Sequence, residues 1–358
     1  MLERKEFTIT AGQLVAVTLI ALLTALNCRG VQEGKVVQNV FTIAKTLALV
    51  ALIGLGLTVA ANPQAIAFNR GDLWGGVYGT KRFAEVQALV SAPALVVALM
   101  VAGGAMVGSL FSADAWNNIT FTAGEVRDPH RTVPLSLVAG TGLVIVLYLL
   151  ANLAYLAALP VVGSPDGTTP LERGIAFAQD DRVGTAVLAQ ATPRLGVPFM
   201  AIAVMISTFG CVNGMILMGA RLYFAMARDG LFFQSVGFLS DRGVPFTGLV
   251  LQGVWSILLV FSGTYSELLD FVIFAALLFY ALTVAGLFVL RVRRPELPRP
   301  VRAFGYPLVP ALYVVLCAAI MIDLLIVRPE YTWPGLILVL TGIPVYFLWR
   351  GRFRRAGV

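Results

Sequence analysis

The chain has 358 residues, of which 58% are hydrophobic and 13% charged; soluble domains carry about 45–50% apolar and about 25% charged residues, so composition excludes a water-soluble globular protein. The net charge of +7 reads as basic loops on the cytoplasmic side of a membrane protein rather than as a nucleic-acid surface. The lone His130 and the three cysteines, Cys28, Cys211 and Cys317, stand at no metal-ligand or catalytic spacing, which argues against a metal centre, a catalytic triad or a disulfide framework, and no cofactor is expected.

The predicted fold class is an all-α polytopic membrane protein, a single transmembrane domain over residues 1–358 with about nine helices. A bilayer-spanning helix needs about 20 mainly apolar residues. The runs lie at Ile9–Asn27, Val37–Leu57, Ala94–Thr122, Val133–Leu159, Val197–Arg221, Gly248–Phe261, Leu268–Leu290, Val309–Val327 and Trp333–Trp349. No signal peptide precedes the first, since Met1–Phe7 is mixed in charge and the run itself is long enough to span. The sixth run is short. The segment Val161–Leu195 between the fourth and fifth is polar with one amphipathic stretch, which predicts a short helix on the surface.

The third run is the informative one. Val86–Ala113 carries no charge, yet it ends in Phe111-Ser112-Ala113-Asp114-Ala115-Trp116-Asn117-Asn118. Polar groups at membrane depth are expensive unless they face a cavity or a partner. A helix that breaks here and lines a solute site with freed backbone groups accounts for them; a kink stabilised by its own amides is the plainer alternative.

Loop charge sets the orientation. With nine spans, one side collects sixteen basic and six acidic residues, and the other nine basic and ten acidic. The first side is therefore cytoplasmic and holds the C-terminus. The N-terminus then falls outside, which is unusual without a signal sequence.

The segment FSADAWNNITFTAGEVRDPHRTVPLSL, residues 111–137, resembles the sixth helix and following loop of amino-acid permeases of the APC (amino acid–polyamine–organocation) superfamily, nearest to the L-type amino acid transporter branch. Asn39-Val-Phe-Thr-Ile-Ala-Lys45 resembles the fifth helix of that family. Phe209-Gly-Cys-Val-Asn-Gly214 with Ala220–Gly230 resembles the eighth, and Arg294-Pro-Glu-Leu-Pro-Arg-Pro300 the loop before the eleventh. The resemblance implies a LeuT-like transporter of inverted five-helix repeats plus two helices, in which the nine runs here answer to helices four to twelve. It also implies that the first three helices, including the glycine-rich break mated to this one, belong upstream of Ile9; the chain is expected to be N-terminally truncated.

The resemblance further assigns roles. Phe111 gates the substrate, backbone around Ser112, Ala113, Asp114 and Ala115 meets an α-amino group, Trp116 closes the inner side of the pocket and Asn117 holds the break open. Asp114 either attracts a cationic group or caps the second half-helix. Lys45 lies about eight residues inside its helix, roughly 12 Å at 1.5 Å per residue; it either ties the fifth helix to the absent first, which argues against sodium coupling, or snorkels to the interface. Glu125, Arg127 and Arg131, with Asp128, form a candidate cytoplasmic gate or an ordinary solvated loop. Asn213 and Gly214, in a Gly210-x-x-x-Gly214 pair, are expected to pack helices rather than touch substrate. Asp270 and Asp323 are read as interface residues rather than proton relays.

The expected function is secondary transport of amino acids across the plasma membrane by alternating access, as sodium-independent exchange or proton symport. The alternatives are an inactive fragment or half-carrier, a channel or a complex subunit; an enzyme is disfavoured, because paired histidines and acidic metal motifs are absent from the sequence. The expected partners are an amino acid substrate and membrane lipid, with no nucleic acid and no obligate protein partner evident.

Overall fold

The computed structural model describes residues 9–71, 80–262, 265–299 and 301–355. Among them every regular element is helical: α1 (Ala11–Arg29), α2 (Val31–Thr58), α3 (Pro63–Gly71), α4 (Lys81–Val90), α5 (Ala94–Ser112), a 3-10 helix at Asn118–Glu125, α6 (Pro129–Ala158), α7 (Pro170–Arg173), α8 (Val183–Ala191), α9 (Gly196–Arg228), α10 (Phe246–Val260), α11 (Tyr265–Arg293), α12 (Leu308–Val327) and α13 (Pro329–Arg355), with short 3-10 turns at Gln179–Asp181 and Gln234–Gly237. Eight of the helices are long and apolar enough to cross a membrane, and α10 is a shorter apolar helix of 15 residues. The chain is an integral membrane protein. All nine runs read from the sequence are helices.

Local chemistry explains the ends. Thr10 caps α1: its hydroxyl accepts from Gln13 N–H while the Gln13 side chain accepts from Thr10 N–H, a reciprocal box. Thr80 caps α4 without the reciprocal bond, its hydroxyl accepting from Phe83 N–H. The uncharged run from Val86 divides, because Ser91 adopts a left-handed conformation (φ 50°) and Pro93 opens α5. Pro cannot continue a helix from behind, and it biases the residue before it away from helical angles.

The chain forms two compact units. The first comprises Met1–Leu73 and Gly142–Gly263, and the second Trp74–Thr141 and Thr264–Val358.

In the first unit α9 packs along α2 and α1 packs on α10. Small residues allow the approach. A methyl placed on Gly210 would come 2.8 Å from Phe41 Cβ, one on Gly56 2.8 Å from Ala154 Cβ, and one on Gly253 2.9 Å from Thr24 Oγ1. One core gathers Leu23, Ile216, Ala220, Val244 and Leu249; another gathers Leu52, Ala60, Ala158, Leu159, Val187 and Leu188. Val187 and Leu188 lie on α8 and are fully buried. The amphipathic stretch of the Val161–Leu195 segment therefore does form a helix, but its apolar face is built into a core instead of resting on the surface.

In the second unit α12 packs on α11 and α5, with α13 beside α11 and α4 against α5. Its core is Val107, Ile273, Leu277, Ala281, Cys317 and Leu324, and a satellite of Val86, Val97 and Val327 lies under α4. Helices α3 and α4 were not anticipated, because each is short and mixes polar with apolar residues.

Candidate functional site

The third run does break. α5 ends at Ser112, residues 113–117 form turns, and the chain resumes as a 3-10 helix over Asn118–Glu125 rather than a second α-helix. Ala115 sits at φ 64°, a left-handed angle that costs a residue with a Cβ roughly 1–2 kcal/mol, and it diverts the chain out of the α-helical path. The ladder changes accordingly. Ala113 N–H still bonds the Ser109 carbonyl (3.1 Å), but Asp114 N–H bonds Phe111 O (3.1 Å), Asn118 N–H bonds Ala115 O (3.1 Å) and Thr120 N–H bonds Asn117 O (2.9 Å). Such i→i−3 turns leave helical carbonyls and amides without their regular partners, which is what a backbone-lined solute site requires.

The residues at the break are held in different ways. Tyr280, on α11, donates its hydroxyl to Asp114 Oδ1 and, at 3.5 Å, to Asn117 Oδ1. Its ring lies 5.9 Å from that of Trp116, tilted by 59°. Asp114 is thus engaged by a phenol. The side-chain cap envisaged for it does not form: Asn117 stands at the N-cap of the 3-10 helix, which has no side-chain cap. The carbonyl of Asn117 accepts from the Thr120 hydroxyl at 2.7 Å, which fixes the far edge of the break. The Ser112 hydroxyl turns back to the Ser109 carbonyl (2.8 Å). Phe111 is partly buried and packs against the core of Val107, Ile273 and Cys317, while Trp116 is 44% exposed. Asp114, Ala115, Trp116 and Asn117 are therefore brought together around Tyr280, and Phe111 lies on the core side of them. The cluster joins a carboxylate, a phenol, an indole and backbone that has left the regular α-helical ladder, a set suited to an ammonium group beside an apolar moiety.

Tyr280 was not foreseen, because its partner is 166 positions away and a tyrosine inside an apolar run reads as core. The one available signal was that a buried phenol needs a hydrogen-bond partner.

The remaining candidates lie apart from this cluster. Lys45, on α2 in the first unit, is half-buried and directs its ammonium to the Cys211 sulfur on α9 at 3.8 Å. Asn213 is fully buried; its Oδ1 accepts from Asn27 Nδ2 (2.9 Å) and its Nδ2 donates to Gln38 Oε1 (3.3 Å), so it ties α9 to α1 and α2. A methyl on Gly214 would meet the Gln38 amide at 3.3 Å. Both residues thus sit in the contact of α9 with α2. In the candidate gate, Arg127 and Arg131 are exposed, and among the described residues neither enters an ion pair. The loop is held by Asp128 at φ 48° and by backbone bonds from Arg131 and Thr132 to the Asp128 carbonyl, at 3.2 and 3.0 Å. The side chains of Glu125 and Asp270 lie outside the described residues. No group of three or more metal-ligating side chains occurs among the described residues.

Comparison with known proteins gives a consistent picture. The chain is 29% identical over 339 residues to the b(0,+)-type amino acid transporter 1 of Mus musculus, covering 94% of this chain and 62% of that protein. It is 29% identical over 337 residues to the large neutral amino acids transporter small subunit 2 of Homo sapiens, covering 94% of this chain and 57% of that protein. The chain thus spans about three-fifths of the length of these relatives. A profile of the family described as amino acid permease matches residues 7–347. With the match running over residues 7–347, through the eight long apolar helices, the shorter α10 and the break, the chain belongs to the amino acid permease family.

Proposed function

We propose that the chain serves secondary transport of amino acids across the plasma membrane by alternating access, independently of sodium, as an exchanger or a proton symporter. The observation that carries this is the interrupted helix at Ala113–Asn117, with Ala115 left-handed and Asp114 beside Tyr280. In this reading the α-amino group of the substrate meets the backbone around Ser112–Ala115 and the Asp114 carboxylate, Trp116 covers the bound molecule, and Phe111 moves with the arm of α5. The fold is taken as LeuT-like, with the basic loops and the C-terminus cytoplasmic. A lysine ammonium at Lys45 disfavours a bound sodium ion nearby.

The test is uptake of labelled amino acids by liposomes that hold the purified chain and no other protein. Saturable uptake that is accelerated by unlabelled amino acid on the opposite side supports the proposal, and with it the absence of an obligate protein partner. Flux without saturation or counter-stimulation, chemical alteration of the solute, or no flux at all would each overturn it.

A further inference from the structure

Asp323 lies four residues before the end of α12 and is 9% exposed. Both of its carboxylate oxygens are fully enclosed, and neither has a hydrogen-bond partner. The group is seated on α5: a methyl on Gly103 would fall 2.5 Å from Oδ2, so only a glycine there admits the carboxylate. An ionised carboxylate in apolar surroundings with no donor is costly to maintain, whereas the neutral acid is far less so. The charged and titratable groups on the neighbouring elements are few. α5 supplies none; α4 supplies Lys81, Arg82 and Glu85; α12 itself carries Tyr313 and Cys317, and Arg328 and Glu330 follow it; α11 carries Glu267 and Asp270 in its first two turns, Tyr280 further on, and Arg291 and Arg293 in its last turn. Arg82 is the cation close enough to act on Asp323. Its guanidinium is committed elsewhere, to the Val327 carbonyl at 2.6 Å and to Glu85 at 3.2 Å.

We propose that Asp323 is a proton-binding site built into the contact between α12 and α5, the arm that leads into the break. With α5 seated on α12 the carboxyl is enclosed and carries a proton. Displacement of α5 opens it to water and to Arg82, and the proton leaves to solvent. Proton occupancy and the position of the arm are then linked, and by reciprocity each biases the other. Proton binding does not depend on the transport reading; its use to couple proton and solute movement does.

Two measurements separate these levels. In the purified full chain without solute, infrared difference spectra between mildly acidic and alkaline pH should show a carboxylic-acid carbonyl band that disappears in Asp323→Asn. Arg82→Gln, a change at a half-exposed side chain, should extend that band to higher pH, and it serves as the readout if the Asn variant does not fold. Spectra identical in wild type and Asp323→Asn, or a band unmoved by Arg82→Gln, overturn the proton site. In liposomes, an imposed inward proton gradient should stimulate uptake by the wild type and leave Asp323→Asn unstimulated while exchange persists. Equal stimulation of both overturns the coupling role, and absence of transport in either refutes the carrier reading while the spectra still decide the proton site.

Discussion

Asp114 and Tyr280 form the contact on which the candidate site turns. A hydrogen bond to a charged group is worth about 1.5–3 kcal/mol, and each 1.4 kcal/mol is a factor of about ten in an equilibrium constant. Tyr280→Phe keeps the ring that leans on Trp116 and removes only the hydroxyl. It should raise the half-saturation concentration for uptake roughly tenfold or more, with melting behaviour near that of the wild type; unchanged kinetics would remove Tyr280 from the site. Asn213 offers a contrasting case, a fully buried amide that joins three helices. Asn213→Ala strands Gln38 Oε1 and one of the two bonds made by Asn27 Nδ2. A buried polar group left unsatisfied costs about 1–3 kcal/mol, so the variant should lower the melting midpoint in detergent. A midpoint equal to the wild type would mean that water replaces the amide. The two residues also show what a sequence conceals. Asn213 lies between glycines four apart, which suggests close helix packing, but its amide partners on α1 and α2 were not legible, since nothing local marks a contact 186 or 175 positions away.

The break in the third run is an element in its own right, and a residue with a Cβ maintains it. Ala115→Gly removes the steric cost of φ 64° and should stabilise the fold by about 1 kcal/mol, whereas Ala115→Val, with a branched Cβ in a left-handed position, should destabilise it by about 1–2 kcal/mol or more. Thermal melts of the two variants should diverge in opposite directions; movement the same way would show that the angle is not under strain. Position and cause of the break were readable from Asp114, Asn117 and Asn118 closing an uncharged run. Its continuation as a 3-10 helix was not, because nothing in Asn118–Glu125 distinguishes i→i−3 from i→i−4 bonding. The short helices α3 and α4 escaped for a related reason: hydrophobic runs announce membrane helices, while these two depend on caps and on the cores they cover. α7 offers a further check. Backbone N–H donation from Thr168, with its hydroxyl and the N–H of Thr169, holds the exposed Glu172 carboxyl below its ordinary range. A lowered carboxylate contributes above its unfolded value and loses that contribution as pH falls through the folded one. Protection of the Thr168 and Thr169 amides against hydrogen exchange should therefore fade on acidification, and in Glu172→Gln it should be weaker already at neutral pH and independent of acidification. Protection independent of pH in the wild type would exclude the carboxylate as its source.

At the scale of the whole molecule, orientation depends on α10. Its 15 residues rise about 22 Å at 1.5 Å per residue, short of the roughly 30 Å hydrocarbon core. If α10 crosses, three crossings separate the Val161–Leu195 segment from the loop after α11, and the two lie on opposite faces. If it only dips into the bilayer, they share a face. Charge favours the crossing. The last turn of α11 and the loop after it hold Arg291, Arg293, Arg294, Arg299 and Arg302 against Glu296, while the earlier segment holds Asp166, Glu172, Asp180 and Asp181 against three arginines; placing both on one side would erase the difference that sets topology. Thinning of the bilayer around a short helix costs only fractions of a kcal/mol per ångström, so the deficit of about 8 Å is bearable. The loop after α11 is also anchored, since Arg299 donates to the Arg294, Pro295 and Leu297 carbonyls at 2.7–2.9 Å and Arg291 lies 3.6 Å over the Tyr306 ring. Single cysteines at Asp166 and Glu296, on a background without Cys28, Cys211 and Cys317, separate the two cases. In sealed cells an impermeant maleimide should label Asp166→Cys and spare Glu296→Cys until the membrane is opened. Labelling of both from outside would make α10 a re-entrant helix and reverse the orientation of α11, α12 and α13.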